Sequence, residues 1–306
     1  MYFHYHCLCY LGLKGQLTNQ LMTLPDYHLL AALLYSALLL LCTGSTKAAI
    51  RFGIPVAAVW LSLSFAGSLL FAVQATAYIG LTYLLHQQRL SGRWPKIIAW
   101  VLWGVFSVGL LTHLLPGYQG LLLTDNTQVK ANSLAASVYL NTDKVLIAWA
   151  LLQWIPVWQK NSCTAPHVSA WVMLASPLMA IPLIMLLAVQ LGLLQWQPGF
   201  SGLLAVIILS NLLNTCFTEE LLFRGALQNY LHKKLGMLGG LVIASGLFGL
   251  AHFAGGGWYM LLATLAGLLY GLVYLLTGRL LWAVLCHWGL NTTHLLLFTW
   301  PVVQAG

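Results

Sequence analysis

The stretch YMLLATLAGLLYGLVYLLT, residues 259–277, contains no charged side chain. At about 1.5 Å of rise per residue, a helix of this length nearly matches the roughly 30 Å hydrocarbon core of a bilayer. Comparable runs recur along the 306-residue chain, which is 60% hydrophobic and 6% charged. Backbone polar groups in lipid must be satisfied internally, and runs of this length favour helices over the shorter alternating segments of a barrel. The sequence therefore predicts an all-α, polytopic bundle of transmembrane helices in a lipid bilayer.

The apolar runs mark the candidate helices of this bundle. They lie near 27–43, 53–86, 97–115, 144–158, 168–195, 201–218, 237–254, 259–277 and 281–299. The run 53–86 is too long for one upright span, so it forms either one tilted helix or a hairpin. We expect eight or nine helices in one membrane domain. It consists of an N-terminal segment (1–26), helices over 27–200 with a polar loop near 117–143, and a core over 201–299.

The polar loop and the N-terminal segment each leave two interpretations open. For 117–143, a solvated connection is expected, and packing over one face of the bundle is the alternative. Residues 1–26 lack the charged-then-apolar order of a cleavable signal peptide, and Met22 is an alternative start. The six cysteines form no C-x-x-C pair, which predicts small buried hydrophobes at Cys7, Cys9, Cys42, Cys163, Cys216 and Cys286. Metal binding by Cys7 and Cys9 is the alternative.

Basic residues outnumber acidic residues by 13 to 5. They are scattered between apolar spans, which fits the orientation bias of membrane loops and predicts no nucleic-acid partner. Because successive loops lie on opposite faces of the membrane, one set of basic residues is expected on the cytoplasmic face: Arg89, Arg93, Lys96, Lys160, Arg224, Lys233, Lys234 and Arg279. The opposite loops are expected to carry Lys130 and Lys144, balanced by Asp125 and Asp143.

The only two glutamates are neighbours, Glu219 and Glu220, in the segment EELLFR. A carboxylate near the bilayer centre costs roughly 2.5 to 3.5 kcal/mol on insertion scales, so an intramembrane pair indicates function. Glu220 and Arg224 stand at i and i+4, where opposite charges can pair. On a helix, the side chain of Glu219 points about 100° away from that of Glu220. One carboxylate can therefore be structural while the other faces a cavity.

Two further segments carry candidate site residues at the same i, i+4 spacing. Residues 248–252 read FGLAH at the end of an apolar run, and 287–291 read HWGLN within the last run. Any one of His252, His287 or Asn291 is explained by a hydrogen bond to a neighbouring helix. Together with the glutamates, they predict a functional site on segments that can converge.

This set of side chains suits hydrolysis. A carboxylate whose pKa is raised by an apolar site and a like-charged neighbour can act as a general base, so Glu219 can take a proton from water. His252 suits the orientation of that water or the transfer of its proton. His287 and Asn291 suit donation to the oxygen that becomes negative.

In their order along the last helices, E-E-x-x-x-R, F-x-x-x-H and H-x-x-x-N resemble the CPBP family of intramembrane proteases. That family includes CAAX prenyl endopeptidases, bacteriocin-processing and self-immunity proteins, and abortive infection (Abi) proteins. The resemblance covers about 211–299, and its motifs fall on Glu219, Glu220, Arg224, Phe248, His252, His287 and Asn291.

The resemblance implies about eight helices around a cavity that opens to the membrane. It also implies peptide cleavage in which Glu219 activates water, His252 assists, and His287 with Asn291 forms the oxyanion hole. Glu220, Arg224 and Phe248 would support these residues. We expect a membrane-associated peptide or protein substrate and an integral protein of the bacterial inner membrane. Residues 116–118 (PGY) and 141–144 (NTDK) resemble a segment of some bacterial members, to which no role is assigned.

No cofactor is expected to be required, although zinc is an alternative. Its ligands would be Glu219, Glu220, His252 and His287, but no H-E-x-x-H is present.

Other functional classes stay open. Ser201, in the sequence GFSG, matches a rhomboid-like serine protease pattern but equally suits a helix cap. A proton- or cation-coupled transporter could use the two glutamates. A non-catalytic immunity or scaffold protein could keep the same pocket. The sequence does not choose among a prenylated protein, a leader peptide and a sorting signal as substrate, nor does it fix the oligomeric state.

Overall fold

The fold is a helical bundle with one small β-hairpin, as seen in a computed structural model that describes residues 26–65, 67–157 and 170–304. Its N-terminal half contains α1 (Asp26–Cys42), α2 (Ala48–Leu61), α3 (Leu69–His86), α4 (Arg93–Leu111), β1 (Leu121–Thr127), β2 (Ala136–Leu140) and α5 (Asp143–Leu151). Its C-terminal half contains α6 (Ala170–Gln190), α7 (Gly202–Ser210), α8 (Phe217–Glu220), α9 (Asn229–Leu250), α10 (Gly257–Thr277) and α11 (Leu280–Leu297). The predicted all-α membrane bundle is confirmed.

Five helices in the described part of the chain are long and apolar enough to cross a membrane. They are Leu69–His86, Arg93–Leu111, Gly202–Leu250, Gly257–Thr277 and Leu280–Leu297. The run 53–86 does not form one long helix, because α2 ends at Leu61 and α3 starts at Leu69. The two helices pack together, and Trp60 Nε1 donates to Thr76 Oγ1 at 3.1 Å. Of the two alternatives, the hairpin is correct.

Helix α5 differs from its predicted role as a span over 144–158. It has nine residues, all of them buried. At about 1.5 Å per residue it is about 14 Å long, too short to cross a bilayer. Asp143 and Lys144 therefore do not balance each other in a solvated loop: both side chains are buried, and Asp143 instead contacts His113, Oδ2 to Nδ1, at 2.8 Å. The apolar character of this run reflects burial among other helices rather than contact with lipid.

The polar segment 117–143 is not a solvated connection. Strands β1 and β2 pair antiparallel with two irregularities in register. Their apolar residues, among them Leu121 and Val138, pack with Ile207 of α7 in one core cluster. Lys130, expected in solvent, is buried and donates to the backbone carbonyls of Leu295, Leu296 and Phe298. It thus satisfies carbonyls that the end of α11 leaves open.

The chain from Gly202 to Leu250 is helical except at Gly236, with two π-helical segments, Asn211–Cys216 and Leu221–Gln228, on either side of α8. It bends at Gly236, whose φ of +79° interrupts the helix. Arg224 was expected on the cytoplasmic face, but it is fully buried inside the bundle. Its positive charge therefore gives no information about the orientation of the protein in the membrane.

Helices α9 and α10 approach each other closely at Gly249. A Cβ at Gly249 would collide with the Thr264 hydroxyl and lie 2.8 Å from the Met260 carbonyl oxygen. Only glycine fits this crossing without displacing one helix.

Among the cysteines, Cys42, Cys216 and Cys286 are free and buried, as predicted. The predictions for Cys7, Cys9, Cys163, Met22 and Lys160 lie outside the described residues.

Candidate active site

A cavity of about 380 Å³ lies between α6, the segment 211–223, the end of α9, α10 and α11. Most of its lining is apolar, with Ile184, Met185 and Leu262 as examples. The predicted site residues that line it are Glu219, Phe248, His252, His287 and Asn291. The volume falls within the range of roughly 300 to 1,000 Å³ that ligand pockets occupy. Three segments far apart in sequence thus converge on one space.

Glu220 is held by two partners and is fully buried. Its Oε2 lies 3.2 Å from Arg224 Nε, and its Oε1 accepts from Arg224 Nη1 at 3.2 Å. His287 Nδ1 lies 2.8 Å from the same Oε1. Arg224 also donates to the Gly267 carbonyl at 2.8 Å, and its guanidinium carbon lies 4.7 Å from the centroid of the Phe248 ring. These contacts fix the Glu220 carboxylate in one position.

Glu219 faces the cavity and is 6% exposed. Its Oε1 lies 3.6 Å from Nζ of Lys144, which α5 carries into the bundle. Each of the two adjacent carboxylates therefore has its own cation, since Arg224 pairs with Glu220. The expectation that Glu219 has only an apolar and like-charged setting is wrong, because Lys144 lies beside it. Lys144 was not predicted as a site residue. The one signal in the sequence was the segment 141–144, to which no role was assigned.

His252 lies just beyond the end of α9, outside the membrane-spanning helices. Its Nδ1 lies 2.8 Å from the Phe248 carbonyl oxygen, which can only accept. The Nδ1 atom therefore carries the hydrogen, and the lone pair of the neutral ring is on Nε2. Burial lowers the pKa of His252, which favours that neutral ring. The histidine can thus accept a proton through Nε2.

His287 and Asn291 lie one turn apart on α11. The His287 ring stacks on Tyr270, with ring centroids 4.5 Å apart and an angle of 14° between the planes. Asn291 Nδ2 donates to Asn211 Oδ1 at 3.1 Å. Asn211 also lines the cavity, and it is a site residue that the sequence analysis missed. The local sequence around Asn211, which includes Ser210 and Asn214, gave no signal of this contact.

Two alternatives from the sequence can be compared with the geometry. Among the described residues, no group of three or more His, Cys, Asp or Glu side chains is arranged to hold a metal ion. Glu220, one of the four proposed zinc ligands, has both oxygens facing Arg224 and His287, so the set does not fit zinc. Ser201 Oγ accepts from the Leu204 backbone N–H at 3.2 Å and caps α7, as its helix-cap interpretation predicts.

Residues 201–293 match the family model described as type II CAAX prenyl endopeptidase Rce1-like. This match confirms the resemblance to the CPBP family. It spans every motif residue from Glu219 to Asn291 and includes the cavity-lining parts of 211–223, α9 and α10, whereas α6 lies outside it. No curated protein and no solved structure matches the chain. The Rce1-like match and the apolar helices together indicate a protease of the membrane with a membrane-associated substrate.

Proposed function

We propose that this protein is an intramembrane endopeptidase that hydrolyses a peptide bond of a membrane-associated substrate with a water activated by Glu219. The observation that carries the proposal is the unequal setting of the two glutamates. Glu219 lines the cavity with His252, His287 and Asn291, whereas Glu220 is engaged by Arg224 and His287. All of these residues fall within the Rce1-like match.

In the proposed reaction, the Glu219 carboxylate removes a proton from water as the water oxygen bonds to the carbonyl carbon of the scissile peptide and the carbonyl oxygen becomes negative. His252, with its lone pair on Nε2, relays that proton from Glu219 to the peptide nitrogen as the C–N bond breaks. The products are a new carboxyl terminus and a new amine terminus, and Glu219 is again a carboxylate. A positioned general base typically contributes roughly 10² to 10⁴ in rate. The proposed steps require no metal or other cofactor.

His287 and Asn291 are proposed to donate to the oxygen that becomes negative. The contact of His287 Nδ1 with Glu220 Oε1 holds the imidazole ring in place at the cavity. Asn291 has its amide oriented by Asn211. Donors held in place before the reaction are the usual source of oxyanion stabilisation.

The substrate is proposed to be a peptide segment that enters from the membrane. The mostly apolar lining of the cavity supports a segment with apolar side chains or an attached lipid. A prenylated C-terminus, a leader peptide and a sorting signal all meet this description. The apolar helices support an integral membrane protein, and we propose the inner membrane of a bacterium as its location.

The proposal is tested by mapping terminal peptides in the membrane proteomes of cells that carry wild-type protein, Glu219→Ala or Ser201→Ala. A new terminus present with wild type and Ser201→Ala and lost with Glu219→Ala would support the proposal and name the substrate. A terminus that depends on Ser201 and not on Glu219 would favour a rhomboid-like protease. No new terminus in any cell would contradict proteolysis.

A further inference from the structure

Lys144 is a lysine with 2% exposure in a membrane protein, on a helix whose nine residues are all buried. Moving an ammonium group from water into a protein interior costs several kcal/mol unless a partner compensates. Because only 6% of the residues in this chain are charged, a buried cation at this position indicates a specific role. The anion at its tip is Glu219, with 3.6 Å between Nζ and Oε1.

Contacts with neighbouring residues fix the backbone of Lys144, from which its flexible side chain extends. Asp143 contacts His113, Oδ2 to Nδ1, at 2.8 Å, and its Oδ1 accepts from the Lys144 backbone N–H at 2.9 Å. The Thr218 hydroxyl donates to the Lys144 carbonyl oxygen at 3.2 Å, which joins α5 directly to the helix that carries the glutamates. The first turn of α5 is therefore attached on both sides.

The two glutamates differ in how closely their cations approach. Glu220 contacts Arg224 and His287 at 3.2 and 2.8 Å, which are hydrogen-bond distances. The 3.6 Å between Lys144 and Glu219 is longer than the roughly 2.7 to 2.9 Å of a charge-assisted hydrogen bond. At that separation the ammonium still favours the charged carboxylate, because an opposite charge within about 4 to 6 Å does so. The carboxylate keeps its position at the cavity.

We propose that Lys144 is a positioning residue for the Glu219 reaction, which keeps that carboxylate charged and directed at the cavity. This inference rests on the proposed function, since it gives a role to Lys144 through the proposed base. It also explains how two adjacent carboxylates are tolerated in an apolar bundle. Each has a separate cation, and the two cations come from different helices.

The test uses dicyclohexylcarbodiimide, an apolar reagent that modifies protonated carboxyl groups, on full-length protein in liposomes at neutral pH. Fragment-ion mass spectrometry separates modification at Glu219 from modification at Glu220. Wild type and Lys144→Arg should label slowly at Glu219. Lys144→Met should label about tenfold faster or more, because the carboxylate loses its nearby cation. Glu220, held by Arg224 and His287, serves as the internal control and should not change.

Activity provides the second measurement. Cells that carry Lys144→Met should lose the new terminus defined by the mapping experiment, and cells that carry Lys144→Arg should retain part of it. With purified protein, Lys144→Met should lower kcat and change KM little. Unchanged Glu219 labelling in a Lys144→Met protein that elutes as a folded species would overturn the inference and leave the protease proposal intact. Faster labelling with no new terminus in wild-type cells would support the coupling of Lys144 to Glu219 and contradict proteolysis.

Discussion

The Nδ1 atom of His287 lies 2.8 Å from Oε1 of Glu220, so the second glutamate orients the histidine that faces the cavity. Arg224 contacts the same carboxylate, and Tyr270 stacks on the histidine ring. Glu220 therefore acts through His287, while Glu219 faces the cavity itself. The adjacent glutamates have different surroundings because successive residues on a helix point about 100° apart.

Replacing Glu220 should destabilise the protein. Glu220→Gln leaves the buried Arg224 without its counter-charge, and breaking a buried ion pair typically costs about 3 to 5 kcal/mol. We expect a clearly lower melting temperature of the purified protein in detergent. The double variant Glu220→Gln/Arg224→Met should recover part of that stability and none of the activity. A Glu220→Gln protein as stable as wild type would contradict the structural role.

The close crossing of α9 and α10 gives a matched pair of glycine variants. Gly249→Ala places a Cβ against Thr264 and the Met260 carbonyl, and overpacking of this kind costs about 1 to 3 kcal/mol. Gly246→Ala on the same helix meets nothing within 4 Å and should be neutral or slightly stabilising. Melting temperatures of the two variants, measured side by side, check the crossing. Equal effects would show that the helices do not approach there.

Lys130 should stabilise the hairpin and the end of α11. Lys130→Met leaves the carbonyls of Leu295, Leu296 and Phe298 without this donor, and unsatisfied buried groups cost about 1 to 3 kcal/mol each. We expect faster protease cleavage within 117–143 and a lower melting temperature. Lys96→Met, at an exposed lysine, is the control and should change neither quantity. Protection of the hairpin in Lys130→Met would contradict this role.

Asn291 and Asn211 should affect catalysis unequally. Asn291→Ala removes a proposed oxyanion donor, and such a loss typically lowers kcat by about 10² to 10³. Asn211→Ala leaves Asn291 in place without its hydrogen-bond partner, so we expect a smaller loss in kcat. Both are measured as kcat and KM on the substrate found by terminal mapping. A loss confined to KM in Asn291→Ala would assign this residue to substrate binding instead.

The sequence predicted the C-terminal helices and the separation of the two glutamates because these depend on local periodicity. The contact between Glu220 and Arg224 likewise follows from spacing within one helix. The partners of Glu219 and Asn291 come from distant segments, and no periodic pattern signals such contacts. Lys144 was assigned to a loop because every apolar run was interpreted as a span, whereas α5 is short and surrounded by protein.

The prediction of a solvated connection over 117–143, which contains the β-hairpin, was wrong for a related reason. Its Asn, Asp, Thr and Ser residues are typical of solvated loops, and its two short strands are interrupted by irregular register. Only the contacts of its apolar residues with α7 and of Lys130 with α11 reveal that it covers the bundle. Those contacts are set by tertiary packing, which overrides local composition.

The most direct test is the cleavage rate of purified Glu219→Gln protein in liposomes, compared with wild type on the substrate identified by terminal mapping. Glutamine keeps the shape of the side chain and removes its ability to accept a proton. We expect kcat to fall by about 10² to 10⁴ while the variant still elutes as a folded protein. Cleavage by folded Glu219→Gln at the wild-type rate would contradict the assignment of Glu219 as the base that activates water.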